Sequence, residues 1–157
     1  GIDVQVDDME DGAQAIHLLG QQEMHASEIH VPADPSSAAF PAVAALITQG
    51  SEITLKNIGM NERRNGIYTT LIEMGADIRF ENERLEGGEK TADLVIKSSS
   101  LRGIEVPADR VPSMIDEFPV LFVAAAFADG TTRMTGLEEL RVKESDRLGL
   151  MAEGLRA

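Results

Sequence analysis

The run Leu140-Arg141-Val142-Lys143-Glu144-Ser145-Asp146-Arg147-Leu148 gathers cations, carboxylates and a hydroxyl immediately ahead of an amphipathic pattern. Leu148, Met151, Ala152 and Leu155 recur at helical spacing, so a helix is expected to begin inside this run. Ser145 is the expected N-cap, its hydroxyl accepting from a free N–H of the first turn. A helix start presents unpaired N–H groups and partial positive charge, which makes it a natural place to bind an anion. Lys143 before that start and Arg147 in its first turn would strengthen the site. The competing account is a capped surface helix with a solvated charge cluster, in which Glu144 and Arg147 form an exposed ion pair.

The elements that must position this run repeat themselves. Ile104-Glu105-Val106-Pro107-Ala108-Asp109 echoes Ile29-His30-Val31-Pro32-Ala33-Asp34, and Phe118-Pro119 before an apolar helix echoes Phe40-Pro41. Gly130 ends the later helix as Gly50 ends the earlier one. The sequence thus predicts an internal repeat of roughly 75 residues in the order β-α-β-α-β-β. Its elements are strands over 1–6, 15–19 and 28–31, and a buried helix over 38–47 with an irregular first turn at Pro41. A strand over 51–58 follows, then a polar loop carrying Arg63 and Arg64, a helix over 67–74, and strands over 77–81 and 94–96 joined by Gly87-Gly88. A strand over 133–137 precedes the charged run. Only the copy from about Ile29 to Leu101 is whole. Both ends are ragged and no initiator Met opens the chain, so a segment of a longer protein is expected.

Composition narrows the function. The 157 residues carry 27 Asp and Glu against 14 Lys and Arg, a net charge of −13, which argues against a nucleic-acid binder. Without cysteine there is no disulfide or thiolate metal site, and His17, His25 and His30 have no metal-ligand spacing. No apolar run reaches the length of a membrane span. For an anionic ligand, cations must be concentrated locally or come from other chain.

Leu140–Leu148, together with Asp34-Pro35-Ser36-Ser37-Ala38-Ala39-Phe40 and Met114-Ile115-Asp116-Glu117-Phe118-Pro119, resembles the 5-enolpyruvylshikimate-3-phosphate (EPSP) synthase family, in its bacterial form, over the whole chain. The resemblance implies an α/β fold of repeated β-α-β-α-β-β units, the inside-out α/β barrel of the enolpyruvyl transferases, here partly present. Residues 1–31 would be the closing β-β segment of one domain. Residues 32–157 would be the first complete repeat and part of the second of the other domain. The implied reaction transfers the enolpyruvyl group of phosphoenolpyruvate to the 5-hydroxyl of shikimate 3-phosphate, releasing phosphate, on the shikimate pathway to chorismate and aromatic amino acids. It implies a cytoplasmic transferase using no metal or organic cofactor, monomeric as the full-length enzyme, with these two small anions as its partners and neither nucleic acid nor membrane. This central-to-C-terminal fragment alone is expected to be inactive.

Residue by residue, the resemblance makes Asp116 a binder of shikimate 3-phosphate and a proton acceptor, and Lys143 a second contact to that substrate. Glu144 would handle the proton at the methylene carbon, and Arg147 would sit on the phosphoenolpyruvate side. Each has a plainer alternative. Ser113-x-x-Asp116 has the spacing of a capping box, and Arg63 and Arg64 fit a solvated helix start. Asp116 stands where the first copy has Ala38, so the repeat itself does not require a carboxylate. Ala33 replaces the family's usual glycine, which would cost about 1 kcal/mol if that position needed a positive φ. Two other readings stand beside this one: the related transferase that places enolpyruvyl on UDP-N-acetylglucosamine, and a non-catalytic folding module.

Overall fold

The computed structural model describes residues 2–26 and 28–157, which divide into two compact units, Gly1–His30 and Val31–Ala157. The first is an antiparallel hairpin of β1 (Val4–Asp8) and β2 (Gln14–Leu18), with Val4 opposite Leu18 and Val6 opposite Ile16. Its turn closes through Gly12 at φ +81°, a conformation glycine adopts without strain. The expected strand over 28–31 does not form. Its described residues have no ladder partner, and the first bridge on this stretch is made beyond Pro32, by Ala33 to Ile58.

The second unit is built on an antiparallel sheet in the order β3 (Glu52–Gly59), β5 (Glu89–Lys97), β4 (Asp77–Glu86). Both outer strands bulge, at Asn57 and Asn82, each with φ above +50°. One carboxylate serves both bulges: Asp93 accepts from the Asn57 N–H at 2.8 Å and the Asn82 amide at 3.0 Å. β4 and β5 run on to a hairpin at Gly87-Gly88, well past the short strands expected, because the added turn is charged and shows no apolar alternation.

Helix α1 (Pro35–Ile47) starts three residues earlier than expected, because Asp34 caps it by accepting from the Ser37 N–H at 2.8 Å and Pro35 supplies the first turn. Pro41 lies inside the helix rather than disturbing its first turn. α1 is also not buried all round, since Phe40 is 55% exposed while Ala39, Ala42, Val43 and Leu46 pack in the core. Ala33 carries no positive φ. It holds a short parallel pairing, N–H to Asn57 O and C=O to the Gly59 N–H, so the glycine-to-alanine change costs no strain.

Helix α2 (Gly66–Glu73) ends at Gly75, φ +98°. The second copy opens on the parallel pair β6 (Glu105–Val106) and β7 (Arg133–Met134), around helix α3 (Phe118–Ala126). β7 is shorter than the strand expected over 133–137. Between β6 and α3 the chain makes two 3-10 turns, Ala108–Ser113 and Ile115–Glu117. The first is fastened to α2 of the other copy. Arg110 donates to both oxygens of Glu73 at 2.6 and 2.7 Å and to Thr70 Oγ1 at 3.1 Å. Gly66 lets that turn approach, since a Cβ there would lie 2.2 Å from Ser113 Oγ. A 3-10 turn Glu138–Arg141 then leads to helix α4 (Arg147–Gly154).

Candidate active site

The charged run folds as a turn followed by α4, but the cap differs from expectation. Asp146, not Ser145, caps the helix, accepting from the Gly149 N–H at 2.8 Å, while Arg141 donates to its other oxygen at 2.9 Å. Ser145 turns its carbonyl to the Arg147 N–H. A carboxylate accepts more strongly than a hydroxyl at a helix start, and here it has an arginine partner as well. Its carboxyl is held below the usual range by the Gly149 N–H and then by Arg141.

Arg147, the first residue of α4, joins the two candidate acid–base groups. It donates Nε and Nη2 to the two oxygens of Glu144 at 2.6–3.0 Å, and Nη1 to Asp116 at 2.9 Å. The carboxylates come from different elements, Asp116 from the Ile115–Glu117 turn and Glu144 from the loop before α4. Their oxygens are largely open to solvent, whereas the Arg147 side chain is 23% exposed. Glu144 is held low by its own backbone N–H and by Arg147, and Arg147 is raised by both carboxylates. Lys143 pairs with Glu139 at 2.5 Å. Its ammonium is raised by that bond, with a further pull from Asp116, so Lys143 belongs to the same field.

The structure therefore brings Asp116, Lys143, Glu144 and Arg147 to one surface. The ion pair offered as the plainer account of Glu144 and Arg147 is present, but as part of a three-residue bridge. The capping box is not. Ser113 donates its hydroxyl to the Arg110 carbonyl, and α3 begins after Glu117 without a side-chain cap.

Two features escaped the sequence reading. Arg64 is not simply solvated, since its Nη2 donates to Asp34 at 2.9 Å and Ser36 Oγ at 3.1 Å, at the start of α1. Glu117, next to Asp116, is buried; a charged residue between Met114 and Phe118, in an apolar stretch, was the available signal. A small cavity of about 60 Å³ is lined by Ser36, Arg64, Asp116 and Glu117 among others. Among the described residues no cluster of three or more His, Cys, Asp or Glu is placed to hold a metal, and no helix is long and apolar enough to cross a membrane.

Comparison with known proteins places the chain in a family. Residues 1–157 match the family model described as EPSP synthase (3-phosphoshikimate 1-carboxyvinyltransferase). The 3-phosphoshikimate 1-carboxyvinyltransferase of Paramagnetospirillum magneticum is 62% identical over 157 residues, all of this chain and 35% of the relative. That of Methylorubrum populi is 59% identical over 159 residues, with the same coverage. A solved EPSP synthase from Acinetobacter baumannii superposes with a TM-score of 0.90 at 50% identity, covering 99% of this chain and 34% of that one. The chain spans about a third of the length of the curated relatives it matches.

Proposed function

Since this chain belongs to the EPSP synthase family, we propose that it is a segment of an enzyme transferring the enolpyruvyl group of phosphoenolpyruvate to the 5-hydroxyl of shikimate 3-phosphate. The observation that carries the reading is the Arg147 bridge, a cation at a helix start holding two carboxylates drawn from separate elements. The chemistry needs those parts. The attacking hydroxyl must lose a proton and the methylene carbon must gain one, so two groups of opposite duty must face one reacting centre. Both substrates are anions, so a positioned cation must orient them.

In this reading the anionic phosphoenolpyruvate takes over the Arg147 guanidinium. Asp116 is then free to accept from the hydroxyl of shikimate 3-phosphate, and Glu144 to exchange a proton with the methylene carbon. Lys143 binds shikimate 3-phosphate beside Asp116. Residues 1–31 close one domain of the parent enzyme and residues 32–157 open the other. The parent is a cytoplasmic monomer. The remaining cations that hold two anionic substrates lie in chain beyond these residues, in keeping with the net charge of −13 here.

The test uses the full-length protein that carries this chain. Phosphate release should require both shikimate 3-phosphate and phosphoenolpyruvate. Release with UDP-N-acetylglucosamine in place of shikimate 3-phosphate would favour the sister transferase, and release with neither acceptor would leave only a folding module.

A further inference from the structure

Among the buried residues described, Glu117 is the one that carries a charge, at 4% exposure. A carboxylate taken from water is costly unless it is hydrogen-bonded. The Ser36 hydroxyl, on the first turn of α1 in the other repeat copy, lines the same small cavity as Glu117 and, with the Glu117 backbone N–H, favours its charged form. That hydroxyl accepts from Arg64 at 3.1 Å, which leaves its single proton available to the carboxylate across the cavity. Arg64 in turn holds Asp34, the cap of α1. The charged and titratable groups facing Glu117 are Asp116 on its own turn, Arg64 across the cavity, and Tyr68, whose hydroxyl donates to the Pro35 carbonyl at 2.8 Å. Burial pushes the Glu117 carboxyl above its ordinary range, with the Ser36 bond pulling the other way.

The repeat itself does not ask for this group. With Phe118-Pro119 set on Phe40-Pro41, Asp116 and Glu117 fall on Ala38 and Ala39 of the first copy, both buried alanines. In the first copy these positions lie inside α1, whereas here they form the 3-10 turn ahead of α3. The second copy carries two carboxylates where the first carries two adjacent alanines: Asp116 meets Arg147 at the candidate reaction surface, and Glu117 is buried beside the cavity that Ser36 of α1 also lines.

We propose that Glu117 is a positioning residue, which through Ser36 fixes the Ile115–Glu117 turn so that Asp116 meets Arg147 and the substrate hydroxyl. The proposal rests on the assignment of Asp116 made above. It is tested in the full-length enzyme by steady-state kinetics of E117A, E117Q and S36A, each made also on a D116N background. E117A should lower kcat about ten-fold or more while KM for phosphoenolpyruvate stays within about two-fold. E117Q keeps an acceptor for the Ser36 hydroxyl and should recover most of that loss. In the D116N background the same E117A change should alter kcat by less than about two-fold, because Glu117 acts through Asp116.

A wild-type kcat in E117A, or an equal loss with and without Asp116, overturns the proposal. Should E117A fail to fold, S36A carries the same comparison: a loss of about three-fold or more in the wild type and none on D116N, with equal losses overturning it. If D116N alone keeps wild-type kcat, the assignment of Asp116 falls first and this inference with it. A Glu117 effect that does not depend on Asp116, in an enzyme where D116N is crippled, refutes this inference alone.

Discussion

Removing the Arg110 guanidinium tests how the second copy is fastened to the first. Arg110 makes a bidentate pair with Glu73 and a third bond to Thr70 Oγ1, from a side chain only 18% exposed. A charge-assisted bidentate pair in partial burial contributes up to about 3 kcal/mol. Glu73 is 43% exposed, so solvent screening reduces that figure. Thr70 adds no orphan penalty, because its hydroxyl still donates to the Gly66 carbonyl at 2.9 Å. We expect R110A to lose about 2 kcal/mol, read as a lower midpoint in urea unfolding. The double-mutant cycle with E73A should give a coupling of about 1–2 kcal/mol at neutral pH.

The pH dependence has a defined sign. Glu73 is held below its ordinary 4.5 chiefly by the hydrogen bonds from Arg110. Stability from a depressed carboxylate is complete above the ordinary value and fades as pH falls through the folded one. The gap between wild type and R110A, measured by urea unfolding, should therefore be constant near neutrality and narrow below pH 4.5. A coupling under about 0.5 kcal/mol, or a gap that does not change on acidification, would refute the tether.

Other substitutions probe the remaining steps. Gly103→Ala would place a Cβ 2.4 Å from the Thr131 carbonyl carbon and oxygen, where no side chain can yield; a loss of about 3 kcal/mol in urea unfolding is expected. Asp34→Ala removes the α1 cap and the Arg64 anchor and should cost about 1 kcal/mol, seen as a lower midpoint. Asp34 is held below its ordinary 3.8, first by the Ser37 hydroxyl, so this difference too should shrink as pH falls below that value. Arg147→Lys keeps the charge but cannot span Glu144 and Asp116 with a planar fork. In the full-length enzyme it should raise KM for phosphoenolpyruvate about ten-fold or more in steady-state assays.

Punctuation made the repeat readable. Gly75 follows the cap of α2 at positive φ; Gly50 and Gly130 are also at positive φ but lie in the turns beyond α1 and α3, which end at Ile47 and Ala126; Gly87-Gly88 turns the hairpin. Matching Phe-Pro pairs and the Val-Pro-Ala-Asp string set the copies in register. Apart from the strand expected over 28–31, which does not form, what failed was finer than element type. Ser145 and Asp146 are both good caps, and only the backbone decides which stands at the helix start. The 3-10 turns at Ala108–Ser113 and Ile115–Glu117 have no periodicity long enough to read. Contacts between copies were equally hidden. Nothing in the local sequence says that Arg110 reaches Glu73, that Arg64 reaches Asp34, or that Ser36 meets Glu117. The grouping of Lys143, Glu144 and Arg147 was legible because they share one turn. The approach of Asp116 to Arg147 depends on the tertiary fold, and only the resemblance joined those residues beforehand.

The most direct test of the account is kcat of the full-length enzyme with D116N and with E144Q, isosteric changes that remove the group taking the hydroxyl proton and the group exchanging the methylene proton while sparing shape. The account predicts that each lowers kcat about a hundred-fold or more, with the unfolding midpoint unchanged. Wild-type kcat in either variant would contradict it, and would leave the Arg147 bridge a surface ion pair.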